Sequence, residues 1–311
     1  MAEKIILDCD PGHDDALAIM LAAGDPRCEL LGITTVAGNQ TIEKVTHNAR
    51  AVCTVAGIAV PIAQGAAGPL ARERPIIAPD YHGDSGLDGP ALPEPTVPLD
   101  PRTAATVIVE TVLAHEPGTV TLVPTGPLTN IALALALEPR LADRVKRVSL
   151  MGGSYTRGNR TPAAEFNILA DPEAAAAVFA APWPVTMVGL DLTHQALADE
   201  SFRRRVRDLG TPLAVFVEEF LDFFATAYAR RGFTAPAVHD LCAVAAVLDP
   251  EVMTYRDAFV TVETVGRWTT GMTVTDFDGS LGRPANTSVA VTLDRDRLWD
   301  MTVAALAALG G

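Results

Sequence analysis

Ile5-Ile6-Leu7-Asp8-Cys9-Asp10-Pro11-Gly12-His13-Asp14-Asp15-Ala16 is an apolar run that ends in four acidic residues within eight positions. The unbroken Ile-Ile-Leu start reads as a strand buried on both faces, the form strands take in a parallel sheet. Asp8, Asp10, Asp14 and Asp15 then crowd around one tight turn. Carboxylates that close repel one another, so the cluster is costly unless a cation sits among them. Donors that are all oxygen point to a hard ion, Ca²⁺ or Mg²⁺, rather than zinc. The stretch therefore marks both the first strand–turn–helix of an α/β chain and the place of its chemistry.

Outward from that turn, short apolar runs alternate with longer amphipathic ones, as in βαβ units. The pattern predicts strands at Lys4–Leu7, Leu30–Val36, Val120–Pro124, Val145–Met151 and Val185–Leu190. Helices are expected at Asp14–Ala23, Ile42–Ala56, Thr103–Ala114, Leu128–Leu137 and Pro172–Ala180. The last has Asp171 as N-cap, with Pro172 and Glu173 in its first turn. Residues 65–101 are rich in Pro and Gly and carry little periodicity, which suggests a functional loop such as an active-site flap. Residues 198–231 read as two helices, and the C-terminal third as strands at Ala258–Thr264 and Met272–Thr275 before a helix near Arg295–Leu309. No repeat, low-complexity tract or linker interrupts the chain. The expected fold is a single α/β domain with an open, mostly parallel, Rossmann-like sheet flanked by helices.

The composition fits that class: 311 residues, 49% hydrophobic and 20% charged, with a formal net charge of −14. A charge of that sign disfavours nucleic-acid backbones and anionic membranes as partners. No apolar run approaches the roughly 20 residues that span a bilayer, and Met1-Ala2-Glu3-Lys4 lacks the features of a signal peptide. Cys9, Cys28, Cys53 and Cys242 show no metal-type spacing and sit in apolar segments, which favours buried thiols over disulfides. A cytoplasmic protein is expected.

Ligands of open parallel sheets bind beyond the carboxyl ends of the strands. Polar residues cluster at several such ends here. Besides Asp8–Asp15 they include Thr34–Asn39, Pro124–Asn130 with Thr125 inside it, and Gly152–Ser154 continuing to Asn159 and Ala164-Glu165-Phe166-Asn167. Val238-His239-Asp240 precedes the apolar run Leu241–Leu248. Each has a plainer reading: Asn39 and Asp240 serve equally as helix caps, and Gly152-Gly153 as a turn. Their convergence on one rim is what argues for a site.

Together these blocks resemble the inosine-uridine-preferring nucleoside hydrolases. Asp8–Ala16 is similar to the family signature, and Thr34–Asn39, Pro124–Asn130, Ala164–Asn167 and His239-Asp240 match further family motifs in the same order. The resemblance covers nearly the whole chain. It implies the nucleoside hydrolase fold and a Ca²⁺ held by Asp10, Asp15 and Asp240 with the backbone carbonyl of Thr125, a set consistent with the about 6–8 oxygens that Ca²⁺ takes. It implies Asp10 as general base toward water, with Asp8 behind the metal ligands or simply a structural acceptor. Asp14, Asn39, Asn159, Glu165, Asn167 and Asp240 would grip the sugar hydroxyls, with Phe166 beside them. The substrate would be a small ribonucleoside, cleaved to base and ribose, and the assembly a homodimer or homotetramer.

His239 matches the leaving-group acid, since a free imidazole titrates near 6.5; its plainer reading is a structural histidine beside Asp240. His82, within the flap, either contacts the base or lies in solvent. Phe220, Phe224 and Tyr228 recur at helical spacing, mostly a core signature, although the family sets aromatic residues of this helix, Tyr228 included, against the base. Phe224 stands where a tyrosine is often found, and Leu241 where a proline often follows His-Asp. His13, His47, His115 and His194 read as structural or surface groups. Competing readings are a phosphohydrolase built on Asp8-Cys9-Asp10, a non-catalytic Ca²⁺-dependent nucleoside binder, and a hydrolase of a modified nucleoside or another ribosylated metabolite.

Overall fold

In the computed structural model of the chain, which describes residues 2–311, the opening apolar run forms a strand buried from Ile5 to Cys9. Ten strands follow in chain order: β1 (Glu3–Cys9), β2 (Cys28–Thr35), β3 (Ile62–Gln64), β4 (Leu99–Asp100), β5 (Val120–Pro124), β6 (Val145–Met151), β7 (Val185–Val188), β8 (Met253–Val262), β9 (Thr273–Asp276) and β10 (Thr287–Leu293). Their spatial order is β4-β3-β2-β1-β5-β6-β7-β10-β8-β9. Pairing is parallel from β4 across to β10, and antiparallel only where β8 joins β10 and β9 joins β8.

Side chains alternate across a strand, and β1 shows why both its faces are apolar. Ile5, Leu7 and Cys9 enter one core layer while Ile6 enters the other. The first layer is packed by helices His13–Gly24, Leu241–Leu248 and Arg295–Leu309, and the second by Ala104–Ala114, Thr129–Leu137 and Pro172–Ala180. Leu241–Leu248 is buried at every residue, which explains its unrelieved apolar sequence. From β1 the chain steps outward through β2, β3 and β4, then returns to the other side of β1 as β5 and steps outward again. The reversal opens a crevice at the carboxyl ends of β1 and β5, where Asp8 pairs with Pro124.

The expected elements are found within a few residues of their predicted ends, but three strands escaped the pattern. β3 and β4 are only three and two residues long, and β10 dilutes its Val-Ala-Val centre with Thr and Ser. Residues 65–101 are not structureless: they contain the short helix Pro79–His82 and β4. Asn48 donates to the Ser85 carbonyl at 3.0 Å, Gln40 to the Gly83 carbonyl at 3.3 Å, and the Leu70 N–H to Asp171 at 2.8 Å. All four cysteines are free thiols. Among the described residues no helix is long and apolar enough to cross a membrane.

Asp171 caps its helix as expected, accepting from the Ala174 N–H at 3.0 Å, and it does more. Fully buried, it also accepts from the Leu70 N–H and, at 2.7 Å, from the Thr129 hydroxyl, joining the 65–101 segment to two helices. Asp171→Ala therefore removes a cap and strands buried donors. It is expected to destabilise the fold by about 2–5 kcal/mol in urea titrations, with Asp171→Asn costing less.

Candidate active site

Asp14 and Asp15 sit in the first turn of helix His13–Gly24, where the helix N-terminus favours negative charge. Asp15 Oδ2 accepts from the Gly12 N–H at 3.1 Å and from Asn39 Nδ2 at 3.2 Å, and its Oδ1 accepts from the Thr125 hydroxyl at 2.8 Å. Asp10 Oδ2 accepts from the Asn39 N–H at 2.6 Å, whereas its Oδ1 is buried without a partner. Loops from β2 and β5 close on this carboxylate. A Cβ at Gly38 would stand 2.1 Å from Asp10 Oδ2, and one at Gly126 would stand 2.6 Å from Oδ1. Only glycine permits that double approach. Asp240, at the start of Leu241–Leu248, makes no capping bond there. Its carboxylate instead lies within 4.8 Å of those of Asp14 and Asp15.

Behind this group, Asp8 accepts from the Thr34 hydroxyl at 2.5 Å and from Asn130 Nδ2 at 2.8 Å. Oxygens of Asp8, Asp10 and Asp14 remain buried and unbonded. Proton affinity responds accordingly. Burial pushes Asp8 and Asp14 up to about 7; Asp10 and Asp240 are raised too, by burial first and repulsion from neighbouring carboxylates second, and Asp15 is raised by burial. Buried, all-oxygen and short of hydrogen-bond donors, the set fits a hard divalent cation. The Thr125 carbonyl accepts from Asn167 Nδ2 at 2.7 Å, which leaves one of its two lone pairs for such an ion.

Asp14 and Asp240 of the cluster line a cleft. Every residue expected at the site lines it except Asp10 and Asp15, which lie beneath. At one wall, Asn167 Nδ2 bonds the carbonyls of Thr125 and Met151, and its Oδ1 has no partner. Glu165 lines the cleft, but both its oxygens already accept backbone N–H groups, from Gly153, Asn167 and Ile168. It is a brace for the loop after β6 and the N-cap of helix Phe166–Ala170. Asn159 Oδ1 accepts from the Phe166 N–H at 2.9 Å, which orients both side chains of that wall.

The opposite end is aromatic. His239 is buried with both ring nitrogens engaged: Nδ1 lies 2.7 Å from the Thr193 hydroxyl and Nε2 lies 2.6 Å from the Tyr228 hydroxyl. Burial depresses it to about 3, so the free-imidazole value used in the sequence reading does not describe it and the ring is neutral at pH 7. Tyr228 is pushed well above its ordinary range by burial and by Asp14, so its phenol keeps its proton. His82 is only 6% exposed and stacks on Phe224 at 5.4 Å, which removes the solvent-loop reading. His13, expected to be structural or at the surface, is buried against His82. The sequence reading missed Ala78, Tyr81, Met151 and Arg160 in the cleft wall. Tyr81 adjoins His82 in the flap, the one signal that could have found it.

The sequence matches the family model described as "Inosine-uridine preferring nucleoside hydrolase" over residues 5–300. It is 53% identical over 312 residues to the inosine-uridine preferring nucleoside hydrolase of Leishmania major, covering 100% of this chain and 99% of that one. A pyrimidine-specific ribonucleoside hydrolase of Shewanella woodyi is 47% identical over 309 residues, 98% of each chain. Among solved structures, the purine-preferring ribonucleoside hydrolase from Gardnerella vaginalis superposes with a TM-score of 0.93 at 32% identity, covering 99% of both chains. With a family match over nearly its full length and a buried acidic cleft at the sheet's switch point, the chain belongs to the inosine-uridine-preferring nucleoside hydrolase family and is an N-glycosidase acting on ribonucleosides.

Proposed function

We propose that the chain depends on Ca²⁺ and hydrolyses both pyrimidine and purine ribonucleosides, uridine and inosine included, to free base and ribose. The observation that carries this reading is the two-ended cleft, with unneutralised carboxylates at one end and the neutral Tyr228–His239 pair at the other. Asp10, Asp15, Asp240 and the Thr125 carbonyl would hold the ion, with Asp14 in the same cluster. A bound Ca²⁺ would acidify and orient water at the sugar end. Asp10, raised in proton affinity and with Oδ1 unbonded, accepts a proton from the water that attacks C1′. The C1′–O bond forms as the C1′–N bond breaks, and its electron pair leaves with the base. Asp14, Asn39, Asn159, Asn167 and Asp240 take the ribose hydroxyls, and Phe166 and Glu165 shape that wall.

At the base end, His239 acts through its neighbours. If Nδ1 accepts from the Thr193 hydroxyl, Nε2–H donates to the Tyr228 oxygen and the phenol O–H is left to donate to the departing base. Phe224 offers no hydroxyl, so Tyr228 carries that bond alone on its helix. Ala78, Tyr81 and His82 line the cleft from within residues 65–101, which supports the flap reading of that segment. The four free thiols suit a reducing cytoplasm. We place the enzyme there as a homodimer or homotetramer, after the family it belongs to.

Asp8 and Asp14 titrate near 3.8 when unfolded and about 7 when folded and metal-free. Raised carboxyls contribute stability below the unfolded value and lose it as pH rises through the folded one. The thermal midpoint of chelator-treated protein is therefore expected to fall from about pH 5 to about pH 7.5. Added Ca²⁺ at a hundredfold excess over Kd should restore about 2.7 kcal/mol, seen as an upward shift of the midpoint by calorimetry. Absence of any Ca²⁺-dependent shift would count against the metal site.

At saturating Ca²⁺, needed because Asp10 would also hold the ion, Asp10→Asn should keep the fold and lower kcat for uridine by about 10²–10⁴ with little change in KM, as loss of a general base requires. In a ribose-release assay, 2′-deoxyuridine should be turned over at least about 10⁴-fold less efficiently than uridine, because the missing hydroxyl leaves buried polar groups unpaired. Equal turnover of the two would refute the assignment of Asp14 and Asp240 to the sugar, and inactivity on inosine would refute the dual base range.

A further inference from the structure

His13 takes no part in the chemistry above, yet it is fully buried beside the cleft. Its ring stacks on Phe224 at 4.9 Å and on Phe223 at 5.4 Å, between the metal turn and the aromatic helix Pro212–Ala229. Nε2 lies 2.8 Å from the Asp88 carbonyl oxygen, and Nδ1 lies 2.9 Å from Nδ1 of His82. A carbonyl oxygen can only accept, so His13 Nε2 carries a hydrogen. A neutral imidazole has one N–H, so His13 Nδ1 is a lone pair. The ring is fully buried and stacked against Phe223 and Phe224, apolar surroundings that disfavour a cation and keep it neutral.

The consequence passes to His82. Two lone pairs cannot face each other at 2.9 Å, so His82 Nδ1 is the donor of that contact. The His13 backbone N–H also lies 3.4 Å from His82 Nδ1, but that longer approach cannot be a bond once Nδ1 is protonated. His82 Nε2 is then a lone pair, and it has no partner among the described residues. His82 lines the cleft.

We propose that His13 is a positioning residue that holds His82 in the Nδ1–H tautomer, so that Nε2 faces the base as a hydrogen-bond acceptor and selects bases with a ring N–H. The acceptor matches N3–H of uracil and N1–H of hypoxanthine, and opposes the ring lone pair at N3 of cytosine or N1 of adenine. This selection rests on the proposed nucleoside cleft, but the tautomer can be read without turnover. Asp88 secures the chain from the far end: its carboxylate accepts from the Ser85 and Asp84 N–H groups at 3.0 Å, which shapes the loop whose carbonyl holds His13.

The test is a long-range proton–nitrogen NMR spectrum of the enzyme labelled with ¹⁵N-histidine, His82 being assigned by the signals lost in His82→Gln. His82 is expected to show a protonated Nδ1 and a lone pair on Nε2. His13→Phe keeps an aromatic ring in the stack but removes the acceptor, so His82 should move to Nε2–H. The uridine-to-cytidine and inosine-to-adenosine ratios of kcat/KM should then fall by about tenfold. His13→Asn, whose Oδ1 can replace Nδ1 as acceptor, should retain the parental tautomer and ratios. An Nε2–H signal for His82 in the parent enzyme overturns the proposal, as does an unchanged tautomer in His13→Phe or a switched tautomer with unchanged ratios. Failure of nucleoside turnover with the expected spectrum would instead indict the functional reading and not the histidine pair.

Discussion

Burying five carboxylates at one strand crevice is the constraint on which the rest of the molecule depends. Asp8, Asp10, Asp14, Asp15 and Asp240 are all essentially inaccessible. Each charge withdrawn from water costs several kcal/mol, and a hydrogen bond to a charged group returns about 1.5–3. The fold supplies such bonds from Thr34, Asn130, Asn39, Gly12 and Thr125, yet three carboxylate oxygens still have none. Hydrogen bonding alone does not close that deficit, which is why a divalent cation is the natural completion of the site. The same shortage explains the glycines at 38 and 126: loops that approach a carboxylate so closely have no room for a side chain.

The two ends of the cleft are polarised in the sense the reaction needs. Breaking a glycosidic bond builds positive charge on the sugar and negative charge on the base. Carboxylates line the end proposed for the sugar, while neutral groups, the Tyr228 O–H among them, line the end proposed for the base, so charge would develop toward complementary partners already in place. Burial produces both conditions at once. It raises proton affinity in the acids and lowers it in His239 and His82, and the rigid layers on each side of β1 keep water from levelling the difference.

Much of this was legible in the chain. An unalternating apolar strand followed by clustered acids predicts a two-layered parallel sheet with its chemistry at a strand end, and both the sheet and the cleft lie there. Local periodicity also located the helices and the Asp171 cap. What it could not show were roles decided by contacts between distant segments. Glu165 reads only as a sugar ligand until its oxygens are seen also holding three backbone amides. His239 reads as a free acid until Thr193 and Tyr228 are found on its two nitrogens. His13 and His82 are 69 positions apart and gain meaning only as a pair. β10 was hidden because Thr287, Ser288 and Thr292 dilute its apolar run, and of these Thr287 is buried while Thr292 is exposed, so neither an unbroken nor a cleanly alternating pattern results.

The segment 65–101 gains a physical identity from where its bonds go. Near the cleft its partners belong to the loop after β2, to helix Ile42–Val55 and to the metal turn: Gln40 holds Gly83, Lys44 holds Asp84, Asn48 holds Ser85, and His13 holds Asp88. Asn48 also donates to the Pro11 carbonyl at 3.0 Å, so a single amide spans the metal turn and the flap. The acidic turn is thus joined directly, by side-chain hydrogen bonds, to the loop that carries Tyr81 and His82 into the cleft wall, and not by way of the sheet.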